Sequence, residues 1–227
     1  MNSVMCDGYI FDFDGTLAES MYIWDELPAR LVRECGAVPP ADLLRIIEPL
    51  VFEDAMHYIA RNLLPGWDEQ ALAQRLISMV RYEYEHNVEP KPGALEALRA
   101  LHEAGKAMCV VSATDSSMVR AALRRFGVED LFGFVLFADE YGGKAHPECY
   151  TAAAALLGAE PRNIAVFEDA LHALRTARRA GFYTVGLYDS HSAENWATLL
   201  SEADEAYIDL SQWLTANSCQ LTANSDQ

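Results

Sequence analysis

Two aspartates close an apolar run: YIFDFDGTLAES, Tyr9 to Ser20, places Asp12 and Asp14 where a buried strand would stop. Alternation puts both on roughly the same side of such a strand, where repulsion and loss of water disfavour ionisation. A cation would offset both effects. Other polar residues follow apolar runs in the same way. Ser112, with Ala113 and Thr114 behind it, ends AMCVVSA; Lys144 follows FVLFADEYGG; Glu168 and Asp169 end NIAVFED. Carboxylates and a carbonyl suit a hard cation such as magnesium, which takes oxygen ligands and retains exchangeable waters. A serine hydroxyl, amides opening a helix and a lysine suit phosphate oxygens. Each residue alone has a plainer reading: a turn for the aspartates, a helix N-cap for Ser112, a surface lysine, and helix-entry acids for Glu168 and Asp169. Their joint placement at strand ends makes a site the better explanation.

The elements that must position these residues fall into two blocks. From about Ser20 to His86 the apolar spacing is helical, in MYIWDELPARLVRECG, ADLLRIIEPL, FEDAMHYIARNLL and DEQALAQRLISMVRYEYEH, with breaks at Pro39-Pro40, Pro49 and Pro65-Gly66. Beyond VEPKPGALEALRALHEAG, short apolar runs alternate with helices: AMCVVSA then SSMVRAALRRFG, FVLFA then PECYTAAAALLG, NIAVFED then ALRTARRAG, and YTVGLYD then NWATLLSEA. That alternation predicts an α/β core, a mostly parallel sheet with helices on both faces, into which a helical domain is inserted. The expected boundaries are residues 1–18 and 90–214 for the core and 19–89 for the insert, with hinges near Leu17–Ser20 and Val88–Pro92. Residues 215–227 carry LTANS twice at a seven-residue interval and read as a polar, disordered tail. In open α/β sheets ligands bind beyond the carboxyl ends of the strands, where all the candidate residues fall.

With 227 residues, 51% of them hydrophobic, the chain can bury one sizeable core and a small second domain. Its five scattered cysteines lack any CxxC pair, so a disulfide framework and a zinc site are not expected, and a reduced cytoplasmic compartment fits. The first residues have no basic segment, and no stretch reaches transmembrane length, so neither secretion nor membrane insertion is expected. A net charge of -17 argues against nucleic acid as a partner. Any anion site must therefore be locally positive, through a metal, a lysine or backbone amides.

The chain resembles the haloacid dehalogenase-like hydrolase superfamily, in the branch with a helical cap after the first strand. Four motifs carry the resemblance in order: DFDGTL at Asp12 to Leu17, the strand ending in Ser112, Lys144, and FED with Asp169. The resemblance implies a Rossmann-like core and a magnesium-dependent phosphohydrolase acting on a small phosphorylated metabolite. Asp12 would attack phosphorus and become an aspartyl-phosphate, while Asp14 would serve as general acid and then general base. Mg2+ would be held by the Asp12 carboxylate, the Asp14 carbonyl and Asp169, with Glu168 close behind. Ser112 and the Ala113 amide would hold phosphate oxygens, and Lys144 would neutralise charge beside Asp12.

Departures from the branch are local. Lys144-Ala145-His146-Pro147 stands where KPxP is usual, and Ala170 and Ala173 stand where the branch carries Ser and Gly. Ala170 leaves out a hydroxyl that could brace the metal ligands. Asp14 favours phosphoryl transfer over dehalogenation. A β-phosphoglucomutase-like mutase would carry a histidine at the place of Trp24 and a cap lysine, and the helical block contains neither. A non-catalytic phosphate-binding module is a second alternative, disfavoured by the retention of Asp12 and Asp14. Trp24, Glu48, Glu53 and His57 are candidate cap contacts to the leaving group, Trp24 having a core position in the helical block as its plainer reading. The sequence does not fix the oligomeric state, and a monomer is compatible with it.

Overall fold

The computed structural model describes residues 6–47 and 50–223. Two compact units divide the chain, one taking Met1–Ser20 with Val88–Gln227 and the other Met21–Asn87. The strands, all in the first unit, are β1 Gly8–Phe11, β2 Ala18–Glu19, β3 Glu89–Pro90, β4 Ala107–Ser112, β5 Phe134–Phe137, β6 Ile164–Glu168, β7 Tyr183–Leu187 and β8 Glu205–Tyr207. Six of them form one sheet in the order β5-β4-β1-β6-β7-β8, and every pairing in it is parallel. β1 lies between β4 and β6, so the strand order changes direction there and opens a crevice beyond the carboxyl ends. Its sequence, GYIF, is buried on both faces, which is why it is a continuous apolar run. β2 and β3 pair antiparallel, Ala18 with Pro90 and Glu19 with Glu89, where the sequence predicts hinges.

The second unit is helical: α1 Tyr22–Glu34, α2 Leu43–Ile47, α3 Phe52–Tyr58 with a π-helical turn at Ile59–Leu63, and α4 Glu69–His86. α1 buries Ile23, Leu27, Leu31 and Val32, and α4 buries Leu72, Leu76, Val80 and Tyr84, the spacing of one helical face in each. Asp68 caps α4 by accepting from the Ala71 amide at 2.8 Å. Glu83 is buried beside these apolar groups and accepts from Asn87 Nδ2 at 2.7 Å and from the Tyr22 hydroxyl at 3.2 Å. It thereby ties the start of α1 to the end of α4.

The core helices are α5 Ala94–Glu103, α6 Ser116–Phe126, α7 Glu148–Leu157, α8 Leu171–Arg179, α9 Trp196–Glu202 and α10 Leu210–Ala223. Alternation sorts the central strands between two layers. Ile10, Cys109, Val111, Ile164 and Val166 pack with Cys149, Tyr150 and Ala153 of α7 and Ala177 of α8. On the opposite side, Tyr9, Phe11 and Phe167 form an aromatic cluster that Trp213 of α10 completes, with the Phe167 and Trp213 rings 5.2 Å apart and edge-on. Among the described residues no helix is long and apolar enough to cross a membrane.

The C-terminal region corrects the sequence reading. A helix runs to Ala223 where a disordered tail from residue 215 was expected; residues 224–227 lie outside the described ones. Polar composition hides the period: Leu210, Trp213, Asn217 and Leu221 are all buried and share one face of α10. The buried Asn217 amide donates to the Trp213 carbonyl at 2.8 Å, so the helix meets that demand internally. Gly93, at φ 77°, lets α10 approach α5, since a Cβ there would lie 2.1 Å from the Ser211 nitrogen. β8 was also missed, because three half-buried residues at a sheet edge leave little alternation to read. Trp213→Ala should cost about 3–5 kcal/mol in urea unfolding, the usual range for an emptied aromatic core site; a loss below about 1 kcal/mol would remove α10 from the core.

Candidate active site

The site begins where β1 stops. The Asp12 amide still donates to the Phe167 carbonyl of β6 at 3.0 Å, so its side chain emerges beside the end of β6. There it meets Lys144, whose ammonium donates to Asp12 Oδ1 and, at 2.8 Å, to Glu168 Oε1. Tyr150 of α7 donates its hydroxyl to the same Glu168 oxygen at 2.7 Å. Glu168 Oε2 is buried with no hydrogen-bond partner. Asp169 lies alongside, its Oδ1 accepting from Thr16 Oγ1 at 3.2 Å.

The turn after β1 is folded tightly against this group. The amides of Leu17 and Ala18 both donate to the Phe13 carbonyl at 2.9 Å. Gly15 takes φ 79°, and a Cβ there would lie 2.6 Å from Asp169 Oδ2, so conformation and space both require glycine. The Asp14 carboxylate accepts from Ser20 Oγ at 2.6 Å and from Ser112 Oγ at 3.2 Å. Ser112, at the end of β4, does not cap α6; that role falls to Asp115, which accepts from the Ser117 amide at 2.9 Å. The Ser112 hydroxyl instead joins Asp14 to the loop, accepting from the Thr114 amide at 2.9 Å. Ala113 follows it, exposed.

Four carboxylates, on Asp12, Asp14, Glu168 and Asp169, gather around one ammonium, that of Lys144, which pairs directly with Asp12 and Glu168. Burial and then the neighbouring acids push the Asp12 carboxyl well above the usual carboxylate range, against the attraction of Lys144. Asp169 is pushed up to about 7, by burial first and Glu168 second. Burial alone would lower Lys144, but Asp12 and Glu168 together outweigh it and hold the ammonium charged. The group carries more negative charge than it can neutralise. Asp12, Glu168 and Asp169 each offer an oxygen, all within 4.8 Å of one another. Together with the unpartnered Glu168 oxygen, this donor set fits a hard cation.

The structure thus brings Asp12, Asp14, Ser112, Lys144, Glu168 and Asp169 together at one end of the sheet. In the helical unit, Trp24 lies on α1 with 37% of its surface exposed, which overturns its reading as a core residue. His57 Nδ1 lies 3.0 Å from Glu69 Oε2 in an exposed pair, and Glu53 is exposed. Glu48 lies outside the described residues. Sequence reasoning gave no role to Thr16, Ser20 or Tyr150. Thr16 and Ser20 stand within the quoted motif stretch, whereas Tyr150 looks like an ordinary apolar position of α7 until its hydroxyl is seen on Glu168.

The parallel sheet carries an acid-rich site beyond the ends of its central strands. A family model for haloacid dehalogenase-like hydrolases matches residues 6–181, and the chain belongs to that family. It is a phosphatase within it. The validoxylamine A 7'-phosphate phosphatase of Streptomyces hygroscopicus subsp. limoneus is 31% identical over 89% of this chain and 93% of its own. Hexitol phosphatase A of Escherichia coli is 26% identical, covering 80% of this chain and 83% of its own. A HAD family hydrolase from Deinococcus radiodurans, solved with bound phosphate and sodium, shares the fold at a TM-score of 0.75 and 24% identity, over 96% of this chain and 98% of that one.

Tyr150→Phe removes one of the two donors to Glu168 Oε1 without changing shape. It should cost about 1.5–3 kcal/mol in chemical denaturation, the range for a hydrogen bond to a charged group; unchanged stability would show that Glu168 does not need that hydroxyl.

Proposed function

We propose that this phosphatase hydrolyses a small phosphorylated metabolite of sugar or polyol type through an aspartyl-phosphate on Asp12. The observation that carries the reading is the Lys144 bridge between Asp12 and Glu168, beside Asp169, in a site with a buried excess of negative charge. An Asp12 carboxylate oxygen attacks phosphorus, and the ester oxygen departs with a proton from Asp14. Asp14 then takes a proton from the water that attacks the phosphorylated Asp12, and the bond from Asp12 to phosphorus breaks to release phosphate. Ser20 donates to the Asp14 carboxylate and holds it for both transfers, while Ser112, which donates to Asp14 at 3.2 Å in the structure, turns its single hydroxyl proton to phosphate when substrate binds. Ser112 and the Ala113 amide hold phosphate oxygens, and Lys144 favours the ionised form of Asp12 against the burial that disfavours it and faces the phosphate charge.

Mg2+ would be held by the Asp12 carboxylate, the Asp14 backbone carbonyl and the Asp169 carboxylate, with Glu168 behind them. When bound, it offsets the repulsion between a carboxylate nucleophile and an anionic phosphate. The polyol or sugar character of the substrate is supported by the hexitol phosphatase relative. Hydrolysis is favoured over transfer to a second sugar because residues 21–87 contain no lysine, and Trp24 stands where a mutase would carry histidine. We take the helical unit as the cap that selects the leaving group, with Trp24 and His57 as candidate contacts. The cytoplasm suits five cysteines in no paired pattern, and the charge of -17 disfavours nucleic acid.

Phosphate release from a panel of sugar and polyol phosphates tests this directly. Asp12→Asn should lower magnesium-dependent release by at least about a thousandfold while circular dichroism stays unchanged, and retained release would refute the nucleophile. Asp14→Asn should cost about 10²–10⁴-fold, the usual worth of a positioned acid-base group, and chelation by EDTA should abolish wild-type turnover.

A further inference from the structure

We infer that the buried Lys91–Asp189 ion pair positions the active site by locking the Asp12–Leu17 turn to the loop that supports Asp169. Lys91 follows β3, and its amide donates to the Leu17 carbonyl at 2.9 Å, at the end of the turn that carries both aspartates. Its ammonium crosses to the loop after β7, donating to Asp189 Oδ2 at 2.6 Å and to the Tyr188 carbonyl at 3.1 Å. Glu19 Oε1 stands 4.0 Å away. From Asp189 the path continues without a gap. Its other oxygen accepts from the His191 amide at 2.8 Å, and Ser192 next door donates its hydroxyl to the Asp169 carbonyl at 3.4 Å. One residue therefore holds the first motif by its main chain and the support of the fourth by its side chain.

The two side chains are only 7% and 3% exposed. Such a pair is a weak stabiliser, because dehydrating both charges offsets most of their attraction, and neutral replacements of both are often tolerated. Its value here is directional: an ammonium with a carboxylate and a carbonyl to satisfy permits few placements of the loop. The activity readout rests on the proposed function; the structural readout does not.

The test is the neutral double variant Lys91→Met/Asp189→Asn, in which the introduced amide keeps an oxygen for the His191 backbone N–H. It should unfold near the wild-type midpoint, yet hydrogen exchange in peptides covering residues 12–20 and 169–192 should be about tenfold faster. With the same phosphorylated substrate, kcat should fall about tenfold or more while KM stays within about twofold, since misplacement affects the chemical step more than binding. Unchanged exchange, or faster exchange with wild-type kcat, overturns the assignment. Faster exchange alongside a wild type that releases no phosphate upholds the positioning role and refutes the proposed reaction. Should the double variant fail to fold, Asp189→Asn alone is read by the same criteria.

Discussion

Everything at the site depends on one buried ammonium. Lys144 is the sole cation reaching the carboxylates at the ends of β1 and β6 among the described interactions, and it touches two of them at once. Dehydrating charged groups is costly unless they are paired, and the pairing here is incomplete. Tyr150 and Thr16 spread part of the remaining charge over hydroxyl donors, one on Glu168 and one on Asp169. What they leave unsatisfied, the second oxygen of Glu168 and the raised carboxyls of Asp12 and Asp169, is the demand that the proposed Mg2+ would meet. The fit of this donor set to a hard cation and the cost of its buried charge thus have a single origin.

A parallel sheet suits such a site. β1 brings Asp12 out between its neighbours β4 and β6, whose last residues are Ser112 and Glu168, so three adjacent strands deliver hydroxyl and carboxylates to one crevice. The strands are buried on both sides by aromatic and aliphatic layers, and the polar ends sit on a rigid support. Loops supply the remainder, and each is tied down: the first turn by Gly15 against Asp169, the loop after β4 by Ser112, and the loop after β7 by Lys91. Precision comes from the sheet and its loop anchors together.

How legible this was depended on the distance over which each signal acts. The strand ends with Asp12, Ser112 and Glu168 could be read because a buried parallel strand writes itself as an apolar run, and the polar residue closing it stands out. The helical insert was readable through period alone. α10 was not, since Asn217, buried and satisfied by its own helix, looks like a tail residue in LTANS, and its face shows only with Leu210, Trp213 and Leu221 around it. Lys91 and Tyr150 were hidden for a related reason. Each looks ordinary in its own segment, and each acts on a partner that the chain brings near only in three dimensions, Asp189 in one case and Glu168 in the other.

The same long-range logic answers the loss at Ala170. A serine there, as the resembling branch carries, would cap α8 and put a hydroxyl next to Asp169; alanine does neither, and α8 starts with no side-chain cap. Asp169 is nonetheless held at both ends, its carboxylate by Thr16 from the first turn and its carbonyl by Ser192 from the loop after β7. Both hydroxyls come from segments that Lys91 joins. The acid's position therefore depends on the register of two loops rather than on a hydroxyl from its neighbour in sequence.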